Sequence, residues 1–133
     1  MSTSFISPNT LFPTEDLAFN HVAISEGKKL VQISGQVAIG KDMNFIGVGD
    51  FPAQVAAALE NLGLALEAAG AARTDVSSTR CLMVNYTQEY MEPLVAELTK
   101  FFGDHRPAST WIGVQALAMP ELMIEIEALA VLD

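Results

Sequence analysis

The 133-residue chain carries 16 acidic and 7 basic side chains, a formal net charge of −9 at pH 7. Half of its residues are apolar in type and 17% are charged, which excludes a disordered or purely solvating chain. The surplus of acid argues against nucleic acid and anionic membranes as partners, since both attract clustered Lys and Arg.

One domain spanning residues 1–133 fits this length. So many apolar residues beside so few charges point to an oligomer, because a lone small subunit would leave apolar surface exposed. Cys81 is the only cysteine, so no internal disulfide forms and nothing calls for an oxidising compartment. The opening MSTSFISPNTLFPTEDL has no basic stretch followed by an apolar one, and no apolar run approaches the ~18 residues of a membrane span. The expected location is cytoplasmic.

In chain order, residues 1–18 are polar, contain Pro8 and Pro13, and read as an irregular lead-in. Residues 19–25 (FNHVAIS) and 30–35 (LVQISG) are β-rich runs joined by Glu26-Gly27-Lys28-Lys29, a hairpin signal. Gly40, Gly47 and Gly49 surround Phe45-Ile46, which reads as a short strand between loose turns. Asp50 is a candidate N-cap with Pro52 in the first turn, and Val55, Leu59, Leu62 and Leu66 recur at helical spacing until Gly70 ends the element. Residues 76–84 read as a strand. Thr87 is placed to cap a second helix, with Leu94, Leu98, Phe101 and Phe102 on its apolar face and Gly103 as its stop. Residues 110–114 and 123–132 are the last strands. The order ββ(β)αβαββ predicts an α+β domain with both helices on one face of the sheet. In the last strand both alternating sets are largely apolar, so a partner subunit is expected over the face that the helices leave free.

No phosphate-binding loop is present, and His21 and His105 lack metal-ligand spacing, so neither a metal nor a cofactor is expected. Cys81, among Leu82, Met83 and Val84, reads as a buried, inert thiol. Glu125 and Glu127 lie inside an otherwise buried-looking strand, where a carboxylate must find donors or a cation. Glu127 reads as structural. Glu125 fits either a general acid/base and water-positioning role or a structural one. Trp111 fits a pocket wall, an interface or the core. Arg80, a charge inside an apolar strand, can pair with a carboxylate, bind an anionic ligand or sit solvated at the sheet edge.

Four segments taken together, residues 30–36 (LVQISGQ), 53–70 (AQVAAALENLGLALEAAG), 106–110 (RPAST) and 124–131 (IEIEALAV), resemble the Rid/YjgF family of reactive-intermediate deaminases, also described as endoribonuclease L-PSP-like. The resemblance implies a chorismate-mutase-like α+β subunit with a mixed β-sheet, assembled as a homotrimer with a ligand cleft at each subunit interface. It further implies hydrolysis of small enamines and imines to ketoacids and ammonia, without metal or organic cofactor. The family's water-positioning glutamate falls on Glu125, Ser34 and Gly35 match its SGQ motif, and its first-strand aromatic, often Tyr, is Phe19. The family's carboxylate-binding arginine falls on Ser109, with Trp111 two places later, and a hydroxyl cannot replace a bidentate guanidinium. The chain therefore resembles a branch without that arginine, in which Arg80 or Arg106 would supply any cation. Three functions follow: an enamine/imine deaminase with non-standard anchoring of its substrate, a non-catalytic trimer binding a small molecule, or an endoribonuclease, against which the −9 balance weighs.

Overall fold

The computed structural model describes residues 2–133. Its strands are β1 (Ser2–Ile6), β2 (Val22–Glu26), β3 (Lys29–Gln36), β4 (Val76–Val84), β5 (Ala108–Val114) and β6 (Ile124–Leu132), with helices α1 (Phe51–Ala68) and α2 (Met91–Phe102).

Helix α1 starts where its own residues satisfy the first turn. The Asp50 carboxylate accepts a hydrogen bond from Ala53 N at 3.1 Å, and Pro52 sits where an N–H would have no partner. Val55, Leu59, Leu62 and Leu66 are all buried, and Gly70 leaves the helix at a left-handed φ of 72°. Helix α2 buries Leu94, Leu98, Phe101 and Phe102, the set its apolar periodicity marks. The expected cap at Thr87 is not formed: its side chain makes no capping bond, and a 3-10 turn, Gln88–Tyr90, precedes the helix. No helix among the described residues is long and apolar enough to cross a membrane.

Four strands form one mixed sheet in the order β3-β6-β4-β5. β6 pairs antiparallel with both β3 and β4, and β4 pairs parallel with β5, a pairing that requires the crossover through α2. Ile124, Ile126, Ala128 and Ala130 of β6, with Cys81 and Met83 of β4, join both helices in one core. Leu62, Leu66, Leu94, Ile124 and Ile126 are essentially inaccessible to solvent, each such side chain contributing about 1.5–3 kcal/mol of transfer free energy. Glu125, Glu127 and Leu129 point to the opposite face, which this chain leaves open.

The amino-terminal third departs from the sequence reading. The lead-in assigned to residues 1–18 is not wholly irregular, because Ser2–Ile6 is a strand paired antiparallel with β2; Met1 lies outside the described residues. Thr3, Phe5 and Ile6 suit extended backbone, but five residues followed closely by Pro8 are too short a run to mark a strand by themselves. The pairing is secured by tertiary contacts: the Thr3 and Ser25 hydroxyls bond at 2.8 Å and the Phe5 ring meets His105 edge-on at 5.1 Å. The expected hairpin between the second and third strands does not form, since β2 pairs with β1 and β3 with β6. The Gly27 turn redirects the chain against the end of β6, where Lys28 N bonds Leu132 O at 2.7 Å. Phe45 makes only an isolated bridge with Ile39 rather than a strand.

The start of β6 is held from the helix layer. Fully buried Gln54 donates from Nε2 to Glu121 O at 2.8 Å and accepts at Oε1 from Met123 N at 2.8 Å. Gln54→Leu keeps the volume but strands a buried carbonyl and a buried N–H. We expect a loss of about 2–3 kcal/mol, read as a lower urea midpoint at unchanged slope.

Candidate active site

The sequence-marked residues gather in two groups. The first lies on the open face. The register of β3 on β6 breaks between Ile33 and Gln36, and this bulge carries Ser34 and Gly35. Gly35 stands against the Glu125 side chain so closely that a Cβ would overlap its carboxyl group. Only glycine lets the carboxylate occupy this position. Glu125 is partly buried and has no hydrogen bond or ion pair among the described residues. Glu127, two residues on, differs: its Oε1 lies 3.2 Å from Nη1 of Arg80, the residue opposite it on β4. The pair sits in a shallow tray of about 580 Å³ across all four strands, lined also by Gln32, Ser34, Ser78 and Thr110. Both members stay well exposed, at 57% and 39%, so solvent screens their attraction.

The second group faces the other way. Ser109 is registered with Thr79 and Trp111 with Cys81, on the helix side of the sheet. The Ser109 and Thr79 hydroxyls bond at 2.8 Å, and Trp111 Nε1 donates to Ser109 Oγ at 3.0 Å. With these partners and the Cys81 thiol also bonded to it, the Ser109 side chain has little capacity left for a substrate carboxylate. Phe19 meets Trp111 edge-on at 5.5 Å and walls a separate cavity that also includes Arg106.

Glu125, Ser34, Gly35 and Arg80 thus share one face, while Ser109 and Trp111 of β5, with Phe19 against the indole, lie on the helix side. Within one subunit Glu125 and Ser109 are separated by β4, two strand spacings or roughly 10 Å, and point to opposite faces of the sheet. Sequence reasoning missed Gln32, Ser78 and Thr110. Their signal was the strand alternation that puts Gln32 on one face with Ser34 and Ser78 with Arg80. The histidines bind carbonyls in different places, His21 Nε2 that of Phe12 at 2.9 Å and His105 Nε2 that of Val76 at 2.7 Å.

A two-helix α+β subunit whose third strand bulges to admit a final-strand glutamate defines the class, and comparison with known proteins names it. Residues 13–132 match the family model Endoribonuclease L-PSP, and the chain belongs to this family, that of the YjgF/Rid proteins. It is similar to a Yersinia pestis protein described as of unknown function in the conserved Rid family, with 37% identity over 99% of this chain and 100% of that one, TM-score 0.95. A Mycobacterium tuberculosis member of the YjgF/YER057c/UK114 family is 27% identical over 98% of this chain and 100% of that one, TM-score 0.66. RidA from an Antarctic Psychrobacter, 24% identical over 81% and 85% of the two chains, shares the fold at a TM-score of 0.70.

Burial pushes the Cys81 thiol from 9.0 up to about 12, outweighing the opposite pull of its bond with Ser109. The native thiol should resist thiol-reactive dyes that label the unfolded chain. Its folded pKa lies above its unfolded one, so its contribution to stability is whole below pH 9 and falls as pH rises from there toward about 12. Over that window the wild type should lose stability more steeply than Cys81→Ala, by up to about 1.4 kcal/mol per pH unit.

Proposed function

We propose that the chain is an enamine/imine deaminase of the Rid type, a hydrolase in which Glu125 positions and deprotonates the attacking water. The observation that carries this reading is the state of Glu125: partly buried, unpaired among the described residues and seated on Gly35, while its neighbour Glu127 is occupied by Arg80. A carboxylate kept free beside a paired one is available as a base. An enamine first takes a proton on carbon to give the imine. Water then adds to the imine carbon and gives a proton to the Glu125 carboxylate. That proton passes to nitrogen, and collapse of the carbinolamine releases ammonia and leaves a carbonyl. Such proton transfer is worth 10²–10⁴-fold in rate.

The active assembly in this reading is a homotrimer, in which the Glu125 group of one subunit faces the Phe19–Trp111 group of the next across a cleft. The opposite facing of Glu125 and Trp111 within one subunit supports it, as does the open tray that a partner would cover. The ribonuclease activity in the family's name requires a positive groove, whereas the tray's one arginine is neutralised by Glu127. No cofactor is invoked, and the cytoplasm is the proposed location.

Ammonia release from imines generated in situ by an amino-acid oxidase tests the chemistry. Glu125→Gln should slow it by about 10²-fold or more at unchanged melting temperature, and Gly35→Ala should do the same by displacing the carboxylate. No acceleration by the wild type would leave the alternative, a trimer that binds a small molecule without turning it over. Ser109→Arg alone should not raise activity, because Thr79 and Trp111 already occupy the space around the Ser109 hydroxyl and a guanidinium there would have to displace the indole. Light scattering should give a trimer at all concentrations that keep the chain folded; a folded monomer would overturn the shared cleft.

A further inference from the structure

A second cavity, of about 430 Å³, lies beneath the segment linking β1 to β2; it shares its Phe19 wall with the proposed cleft but does not include Glu125. One side is apolar, built from Leu11, Phe12 and Phe19, and the other presents Arg106. The rings of Phe12 and Phe19 meet edge to face at 6.4 Å, leaving ring surface toward the cavity, and Phe12 is 59% exposed. Arg106 is partly buried, and the only hydrogen bond of its guanidinium among the described residues runs from Nη1 to Glu15 O. It has no carboxylate partner there. Glu15 also borders the cavity, but its exposed side chain makes no ion pair with Arg106.

The walls are tied in place by polar contacts independent of any ligand. His21 Nε2 meets Phe12 O at 2.9 Å, Asn20 Nδ2 donates to Arg106 O at 2.7 Å, and Ser7 Oγ donates to Asn20 Oδ1 at 2.9 Å. A half-buried guanidinium without a counter-charge is costly, and a carboxylate relieves that cost with charge-assisted hydrogen bonds. Aromatic walls favour a ring beside it, edge to face or offset. From this pairing of a free cation with ring surface we infer that the cavity is a binding site for a small monocarboxylate carrying an aromatic side group. It goes beyond the hydrolase reading and does not use Glu125.

Trp111, the only tryptophan, touches Phe19 and reports occupancy by its fluorescence. Phenylacetate, acetate and 2-phenylethanol are titrated into the full chain. Phenylacetate should saturate at least tenfold tighter than either of the others. Phe12→Ala, at an exposed position, and Arg106→Gln should each weaken it about tenfold, and Arg106→Lys should weaken it less than Arg106→Gln. A flat phenylacetate titration, acetate binding equally well, or indifference to both Phe12→Ala and Arg106→Gln would overturn the inference. Glu125→Gln separates the two proposals: it should slow ammonia release by about 10²-fold or more yet bind phenylacetate normally. Wild-type hydrolysis without phenylacetate binding refutes this site alone, and binding without any hydrolysis refutes the reaction alone.

Discussion

The two hydrogen bonds that Gln54 makes across the start of β6 hold the register on which the rest of the subunit depends. β6 lies between β3 and β4, and its alternation sends Ile124, Ile126, Ala128 and Ala130 beneath the helices and Glu125, Glu127 and Leu129 to the open face. A slip of one residue would place two carboxylates in the core and the isoleucines in the tray. A buried amide that bonds both a carbonyl and an N–H of the incoming chain makes such a slip cost two unsatisfied groups. The helix layer therefore determines where the candidate base lies, although no helix residue touches the site.

Charge is distributed in this molecule by pairing and by vacancy. Arg80 and Glu127 neutralise each other in the middle of the tray, where an isolated charge would draw any covering subunit into an unfavourable desolvation. Glu125 and Arg106 are left without ionic partners among the described residues, one on the central strand β6 and the other in the segment before β5. In a chain of net charge −9, an unpaired arginine is a scarce resource for an anion, and an unpaired, half-buried carboxylate beside a glycine is a scarce resource for a proton. The two unpaired groups mark the two places where a ligand has most to gain. Ser109 is not one of them, because Thr79, Cys81 and Trp111 surround its hydroxyl.

Both helices and the helix-facing strand residues were legible in the sequence. Helix signals are local: Asp50 caps, Gly70 and Gly103 terminate, and apolar residues recur every three or four positions. The family resemblance rested on four short segments and is matched by the family model over residues 13–132. The amino-terminal ribbon was not legible, since Ser2–Ile6 is a short run close to Pro8 and is held by Ser25 and His105, which only the fold brings to it. A run such as 26–29 between two β-rich segments signals a turn without saying whether the flanking strands pair across it.

What the residues determined by themselves is therefore what nearest neighbours determine: helix limits, strand alternation and net charge. Only the tertiary structure decided that Ser109 faces the helices, that Gly35 lies under Glu125, that Arg80 is spent on Glu127, and that Arg106 is left without a counter-charge beside Phe12 and Phe19. The physical reason is range. Helix and strand preferences act over a few residues, whereas pairing of charges and close approach of a side chain to a glycine depend on strand register and crossover, which the packing of the whole chain sets.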